Sequence, residues 1–153
     1  MGATNATDYG HYLAWGGSQH KVDDHNTGSS ALSGDSDTAN KLWGSNWRMP
    51  TSEELQGLLD SCEVEWTTVG GVNGRKFTGK GDYASNSIFL PAAGYCSGGY
   101  VGGQGSDGIY WSSTPDGNKK AYSLDFNSSS QKAYNYGRAD GFSVRAVLYE
   151  EDN

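Results

Sequence analysis

The side chains best suited to acid–base chemistry in this chain are three histidines, all near its beginning. His11, His20 and His25 are far in sequence from Ser112 and Ser113. A nucleophilic serine needs a histidine within hydrogen-bond reach and an acid that orients it. No such set and no pair of close carboxylates is evident. We therefore predict no catalytic residues, and an exposed or structural role for His11.

The two cysteines, Cys62 and Cys96, could react or pair with each other. Neither belongs to a Cys-x-x-Cys motif or to a Cys/His ligand spacing. One disulfide is possible in an oxidising compartment. The alternative is one thiol at the end of a helix and one buried beside a strand, since free cysteine is often buried. The sequence leaves both open.

The stretch 18–37 is almost wholly polar, which predicts a long surface loop. Asp23, Asp24, Asp35 and Asp37 carry the oxygens that calcium prefers. They lack the ordered progression of acids, glycine and glutamate of a calcium-binding loop. We favour a solvated loop and assign no metal ligand and no cofactor.

Composition limits the classes of fold and partner. The 153 residues fit one domain, and with 35% hydrophobic but 12% aromatic residues the core must depend on large rings. The 23 glycines predict many turns and a loop-rich fold. A net charge of −7 opposes binding to nucleic-acid phosphates. No apolar run approaches the ~20 residues of a spanning helix, so we predict no membrane insertion.

Two helices are predicted. Asp37 is placed to cap a short helix over 38–43, which ends at Gly44. Thr51 and Glu54 form a capping box ahead of a longer amphipathic helix. Its apolar stripe has the spacing i, i+3, i+4, i+7 and consists of Leu55, Leu58, Leu59 and Cys62.

Strands are predicted by alternation and by the turns between them. Residues 9–17 are typical of a short aromatic strand. Residues 63–68 and 75–79 predict a hairpin around a glycine-rich turn. Residues 87–95 predict a buried strand, in which Pro91 requires an edge or a bulge.

The C-terminal stretch 109–147 has two apolar ends and a polar middle. Glycine-rich residues 97–108 lack the Lys-Ser/Thr ending of a phosphate loop and predict a flexible connection into it. Ile109 with Trp111 at one end, and Phe142 with its alternating neighbours at the other, predict core segments. A polar, tyrosine-bearing segment held between them suits a binding surface on a rigid scaffold. The simpler alternative is a solvated strand pair.

Six motifs, in this order and spacing, resemble the Fibrobacter succinogenes major paralogous domain, a family with a C-type-lectin-like fold. They are Tyr-Gly-His-Tyr-Leu-Ala-Trp-Gly at 9–16, Trp-Arg-Met-Pro-Thr-Ser-Glu-Glu-Leu at 47–55, Gly-Val-Asn-Gly-Arg-Lys-Phe at 71–77, Ile-Phe-Leu-Pro-Ala-Ala-Gly-Tyr at 88–95, Tyr-Trp-Ser-Ser-Thr-Pro at 110–115 and Gly-Phe-Ser-Val-Arg-Ala-Val at 141–147. The resemblance implies a single α+β domain over 1–153, with a small twisted antiparallel sheet, two helices and long irregular loops.

Relatives of this group include the variable proteins of diversity-generating retroelements. Their C-terminal part carries positions rewritten by adenine-directed mutagenesis of Asn codons, which yields Asn, Ser, Asp, Tyr, Gly or Ala. The resemblance implies eleven such positions in this chain between 118 and 140, each with a residue type that such a codon yields. One of them is Ala133, and the resemblance implies that the other ten bind the ligand. Those residues are Asn118, Ser123, Asp125, Asn127, Ser128, Tyr134, Asn135, Tyr136, Ala139 and Asp140.

Other positions would be constant. Leu124, Phe126, Arg138, Gly141 and Phe142 would form the fixed scaffold. Lys119, Lys120, Gln131 and Lys132 cannot arise from such a codon, so they are either a constant rim or evidence against diversification.

The expected function is non-catalytic recognition of a protein or glycan on a target surface. Alternation along the strand predicts that Ser123, Asp125 and Asn127 point outward. The resemblance implies a cell-surface, extracellular or virion-associated protein. A non-diversified bacterial cell-surface or fimbria-associated domain is the alternative. A formylglycine-generating type of enzyme is disfavoured because Cys62 and Cys96 stand in unrelated contexts.

Overall fold

The computed structural model describes residues 5–18 and 25–149, and these form an α+β fold built from several small antiparallel sheets. Within these residues there are two α-helices and ten strands. The helices are α1 (Thr38–Trp43) and α2 (Ser52–Ser61), and the strands are β1 (Trp47–Arg48), β2 (Glu63–Val69), β3 (Val72–Thr78), β4 (Ser87–Pro91), β5 (Tyr95–Ser97), β6 (Tyr100–Gly102), β7 (Gly108–Asp116), β8 (Lys120–Phe126), β9 (Gln131–Gly137) and β10 (Val147–Leu148).

Helix α1 begins where the sequence predicts, because Asp37 caps it. The buried carboxylate accepts hydrogen bonds from the backbone of Ala39 at 2.8 Å and of Asn40 at 3.2 Å. It also accepts from the backbone N–H of Met49 at 2.9 Å. One acid therefore fixes both the start of α1 and the chain that leads into α2.

Helix α2 confirms the predicted capping box. The Thr51 hydroxyl accepts from the Glu54 N–H at 3.2 Å, and the Glu54 carboxylate accepts from the Thr51 N–H at 2.9 Å. Arg48 holds the same carboxylate with two hydrogen bonds, of 2.5 and 2.9 Å. Of the apolar stripe, Leu55 is buried and the other members are half-buried against the core.

Two three-stranded antiparallel sheets form most of the structure. The first has the order β2-β3-β4 and contains the predicted hairpin. Its turn is only Gly70 and Gly71, because β3 begins at Val72, three residues before the predicted strand. Pro91 lies at the edge of this sheet, as expected for a residue without a backbone N–H. It also ends β4, so the single strand predicted over 87–95 is wrong beyond Pro91. The second has the order β7-β8-β9, with β9 at an edge. The remaining pairs are β5-β6 and β1-β10.

Strands β7 and β8 are covered on both faces, which explains their burial, whereas β9 is mostly exposed. Tyr110 and Trp111 are consecutive in β7 and so point to opposite faces. On the α2 face, Tyr110 packs with Leu124, Phe126 and Leu55. On the opposite face, named here the Trp15 face, the packed residues are Ile109, Trp111, Ala121, Phe142 and Trp15.

Two further predicted segments differ in the structure. Residues 9–17 do not form a strand: Leu13 makes a single bridge to Phe142, and the segment is fixed by Trp15, whose indole N–H donates to Ser112 O at 2.8 Å. The supposed flexible connection 97–108 contains most of the β5-β6 hairpin. Its turn, Gly98 and Gly99, has positive φ angles of 55° and 84°. Glycine enables this tight turn, so the glycine content indicated a hairpin and not mobility.

The cysteines and the acidic loop have separate outcomes. Cys62 and Cys96 are both free thiols, so the disulfide is not formed. His11 is exposed, and His25 is half-buried. His20, Asp23 and Asp24 lie outside the described residues. No helix of the described chain is long and apolar enough to cross a membrane.

Candidate functional site

Strand β9 presents three long side chains on one face. Lys132, Tyr134 and Tyr136 alternate with small or amide residues, so all three lie on the Trp15 face. The register places Lys132 opposite Asp125 of β8 and Tyr134 opposite Ser123. Because β9 is an edge strand, this part of the face extends beyond the core toward solvent.

A continuous stack of rings runs from the core to this surface. Trp111 packs on Phe142 with ring centroids 4.6 Å apart, Phe142 on Tyr136 at 4.8 Å, and Tyr136 on Tyr134 at 5.1 Å. We call these four residues the aromatic ladder. Exposure rises along it from 0% at Trp111 to 47% at Tyr134. Lys132 Nζ lies 4.5 Å from the Tyr134 ring centroid and forms a cation–π contact.

Polar groups fix the ladder's outer half. The Tyr136 hydroxyl donates a short hydrogen bond to the Asp125 carboxylate. Burial, and then this carboxylate, raise the pKa of Tyr136 above its ordinary value, so the hydroxyl stays protonated at neutral pH. Asp107 adds negative charge in the same neighbourhood. The site thus combines tyrosine rings with a carboxylate and an ammonium group.

Ser123 does not point outward, and that prediction is wrong. It is only 1% exposed, and its hydroxyl lies 3.4 Å from the backbone oxygen of Tyr134. The reason is that Ser123 lies between Trp111 and Tyr134 across the sheet. The alternation of residues along a strand shows which side chains share a face of the sheet. It does not show whether other segments of the chain pack on that face and exclude solvent.

The other predicted residues of the β8-β9 hairpin are divided between a second face and a turn. Asn135 points away from Tyr134 and donates a short hydrogen bond to the Asp116 carboxylate. Asn127 is half-buried, and its side-chain oxygen accepts from the backbone of Ser129 at 2.8 Å and of Ser130 at 2.9 Å. Its side chain therefore closes the turn and does not point outward as predicted, whereas Ser128 beside it is exposed.

Asn118, Ala139 and Asp140 lie elsewhere. Asn118 is exposed in the β7-β8 turn, at the opposite end of β8 from Asn127, so the two are separated by roughly 20 Å or more at about 3.3 Å per residue. Ala139 and Asp140 are half-buried after β9, where Asp140 accepts a hydrogen bond of 3.2 Å from Ser97. The structure brings together Asp125, Tyr134 and Tyr136 but not the full predicted set.

Arg138 is the anchor of the β7-β8 turn. Its side chain is 1% exposed, and the guanidinium carbon lies 4.2 Å from the Trp15 ring centroid. Burial lowers its pKa below the ordinary value. It has no carboxylate partner among the described residues and donates instead to four backbone carbonyls. These belong to Asn26 at 3.1 Å, Gly28 at 2.5 Å, Gly117 at 3.0 Å and Lys120 at 3.0 Å.

Arg75 has the same role at the other end of β8. It is 7% exposed, and its Nε and one Nη atom donate to the backbone oxygen of Asn127 at 3.1 and 2.8 Å. The guanidinium lies over the Trp66 ring at 5.7 Å. Burial lowers the pKa of Arg75 as well. Each turn that flanks β8 is thus anchored to a buried arginine through main-chain oxygens, and the Asn127 side chain also closes the β8-β9 turn.

The acidic side chains and thiols of the described residues are not arranged as a metal site. Within 5–18 and 25–149, no three His, Cys, Asp or Glu side chains are grouped to hold a metal ion. Asp35 is exposed, and Asp37 is committed to backbone N–H groups. Cys96 is buried, and that burial raises the pKa of its thiol.

Sequence reasoning overlooked two contributors to this face. The sequence predicts Lys132 as a constant rim residue or as evidence against diversification, and Phe142 only as scaffold, yet Lys132 covers Tyr134 and Phe142 supports Tyr136. The period-two spacing of Lys132, Tyr134 and Tyr136 was a usable signal, since it places all three on one face. The contact with Phe142 joins segments that no local pattern connects.

Comparison with known proteins gives one result. No curated protein and no solved structure matches the chain. A family model described as the Lcl C-terminal domain matches residues 4–148. Because that match covers nearly the whole sequence, the chain belongs to the Lcl C-terminal domain family.

Proposed function

We propose that this chain is a non-catalytic recognition domain with a C-type-lectin-like fold, which binds a protein or glycan on a target surface. The observation that carries the proposal is the aromatic ladder, which rests on the core at Trp111 and ends in the half-exposed ring of Tyr134. A ring supported from below gives rigid contact area at little cost in side-chain entropy.

The neighbours of Tyr134 supply the polar part of the site. Asp125 accepts hydrogen bonds and Lys132 donates them, and they lie opposite each other on the two strands. Ring faces beside such groups suit the apolar faces and hydroxyls of a sugar, or the mixed surface of a protein. The recognised class is therefore a polar surface and not a small apolar molecule.

We further propose that the face is diversified, as in variable proteins of diversity-generating retroelements. Arg138 and Arg75 bind main-chain oxygens, so side chains at the flanking turns can change without loss of these contacts. Asp125, Tyr134 and Tyr136 are the positions for which we expect the greatest effect on binding. Ser123 is removed from the set because it is buried. A non-diversified cell-surface or fimbria-associated domain is the second candidate, and either would act outside the cell.

A non-catalytic role is supported by the state of the thiols. A nucleophilic cysteine needs a lowered pKa and access. Cys96 is 4% exposed, and its pKa is raised by burial. Cys62 caps the C-terminal end of α2 and packs against the core. These contexts do not suit the reactive cysteine pair of a formylglycine-generating enzyme.

The binding proposal can be tested on a panel of immobilised glycans and cell-surface proteins. Tyr134→Ala should weaken every hit of the wild-type chain by about tenfold or more, as expected for a central aromatic contact. Tyr83→Ala is the matched control, since Tyr83 is 68% exposed in a 3₁₀ turn outside the face. Equal affinity of Tyr134→Ala and wild type would overturn the proposal, provided both keep the same melting temperature.

Diversification is tested in the genome. We expect a near-identical repeat of the coding sequence for residues 109–147, differing only at adenines, next to a reverse-transcriptase gene. Absence of the repeat would leave the recognition proposal intact and assign the chain to the non-diversified class.

A further inference from the structure

A second site lies on the α2 face, away from the aromatic ladder. A cleft of about 440 Å³ opens between α2, β4 and the segment 145–147, with Tyr110 at its base. This volume is within the range of small-molecule sites, roughly 300 to 1,000 Å³. Tyr110 and Trp111 point to opposite faces of β7, so the cleft and the ladder are separated by the sheet.

The cleft is apolar inside and charged only at its mouth. Leu55, Leu90 and Tyr110 are buried, and Leu58 and Ile88 are half-buried. Its two charged lining residues are both exposed. The apolar surface is therefore recessed and not a flat patch, which suits a small ligand better than the face of a protein partner.

Of the two charges at the mouth, only one is available. Glu54 is occupied by Arg48, with hydrogen bonds of 2.5 and 2.9 Å. Arg145 makes no ion pair or hydrogen bond with the residues that the structure describes. Although Arg145 is at the mouth, its positive charge is close enough to Tyr110 to oppose the rise in the pKa of that tyrosine that burial causes. An apolar cleft whose Arg145 guanidinium has no ion-pair or hydrogen-bond partner within 5–18 and 25–149 complements an apolar chain with one negative charge.

Gly57 gives an independent indication that the cleft is kept open. It lies in the interior of α2, where glycine costs about 1 kcal/mol of helix stability relative to alanine. It lines the cleft, and a Cβ atom there would meet no atom within 4 Å. A larger residue would favour the helix and find room, yet the chain has glycine at this position.

We propose that this cleft binds an amphipathic monocarboxylate, an acyl chain whose carboxylate pairs with Arg145. The chain lies between Leu55, Leu58, Ile88 and Leu90, with Gly57 as the gap in the helix wall. The site is independent of the recognition function proposed above.

Decanoate below its micelle concentration is the probe, with decan-1-ol and decyltrimethylammonium as uncharged and cationic analogues. Isothermal titration calorimetry should show that one decanoate binds per chain. Decyltrimethylammonium should bind more weakly than decanoate and decan-1-ol. Arg145→Gln should weaken decanoate about tenfold, the value of one charge-assisted hydrogen bond, and leave decanol unchanged. Gly57→Leu should abolish binding of both, while its melting temperature stays equal or rises.

Several results would overturn the proposal. One is absence of decanoate binding to the wild-type chain. Another is unchanged decanoate affinity in Gly57→Leu or in Arg145→Gln. Arg145 is exposed, so its variant tests the charge without threat to the fold. Preference for a short peptide with a C-terminal leucine carboxylate over decanoate would assign the cleft to a protein terminus instead. Tyr134→Ala should leave decanoate binding intact, which separates this test from that of the aromatic face.

Discussion

The turns that flank β8 and the surface of the β8-β9 pair are built by different rules. In the turns, buried arginines hold main-chain oxygens, such as Gly117 O on Arg138 and Asn127 O on Arg75. On the surface, side chains hold one another, as Tyr136 holds Asp125. A main-chain contact survives a change of side chain, whereas a contact between side chains depends on both residues. The molecule therefore separates what fixes the loops from what a ligand would touch.

The largest expected effect is loss of the anchor at the β7-β8 turn. Arg138→Met keeps an apolar stem but removes the guanidinium donors that hold four main-chain carbonyls, and it removes the cation over Trp15. We expect the free energy of unfolding to fall by about 4 kcal/mol, measured by urea denaturation. Arg138→Lys keeps the charge but not the planar fork and should lose about half as much. A loss below about 1 kcal/mol in Arg138→Met would show that the turn does not depend on this anchor.

Loss of Arg75, the anchor at the β8-β9 turn, should lower the free energy of unfolding less than loss of Arg138. Arg75 binds one carbonyl, so Arg75→Met should cost about 2 kcal/mol in the same measurement. Hydrogen exchange should locate the difference: amides of Ser129 and Ser130 should lose protection in Arg75→Met, and that of Arg138 should not. Loss of protection at the Arg138 amide, with Ser129 and Ser130 unchanged, would show that Arg75 does not act locally on the β8-β9 turn.

On the surface, loss of one hydroxyl tests how side chains support one another. Tyr136→Phe removes the hydrogen bond to Asp125 but keeps the ring on Phe142. We expect a cost of about 1 kcal/mol from thermal denaturation. Asp125→Asn should cost about the same, and the double variant should cost less than the sum, because the two groups share one interaction. Additive costs would contradict a coupled pair.

Arg48 differs from the two buried arginines, because it is paired with the carboxylate of Glu54 at the surface. Arg48 and the Thr51 backbone lower the pKa of Glu54 to about 2. The ordinary pKa of glutamate is about 4.3. The ionised Glu54 therefore contributes fully to the free energy of unfolding above about pH 5, and this contribution is lost as the pH falls toward 2. With 42% of its side chain exposed, we expect only about 0.5 kcal/mol after solvent screening. Urea denaturation should show that the free energy of unfolding falls less between pH 6 and pH 2 in Glu54→Gln than in the wild-type chain. An equal fall in both would contradict the assignment of this pH dependence to Glu54.

Local chemistry was predictable from the sequence. Asp37 and Thr51 act through residues two or three positions away, so their helices could be placed in advance. The Gly70-Gly71 hairpin and the position of Pro91 follow from the same kind of local signal. The resemblance to lectin-like proteins also selected Tyr134, Tyr136 and Asp125, which the structure brings together.

What could not be predicted depends on contacts between distant segments. Ser123 is buried because Trp111 and Tyr134 flank it across the sheet, and alternation alone does not show whether a face is covered. Leu13 pairs with Phe142, and Arg138 reaches Asn26, over separations that no periodicity reveals. The glycine-rich sequence 97–108 predicts a flexible connection and not the β5-β6 hairpin, because strands of three residues each are too short to show a clear alternation.

We propose that recognition resides on the β8-β9 surface while stability resides beneath it. The most direct test is a display library in which Asp125, Tyr134 and Tyr136 are randomised together, sorted for protease resistance and then for binding to unrelated targets. We predict that a large share of variants remains folded and that different targets select different sequences. A matched library at Trp111, Leu124 and Arg138 should lose folding almost entirely. Equal loss of folding in the two libraries, or no binders from the first, would contradict the claim.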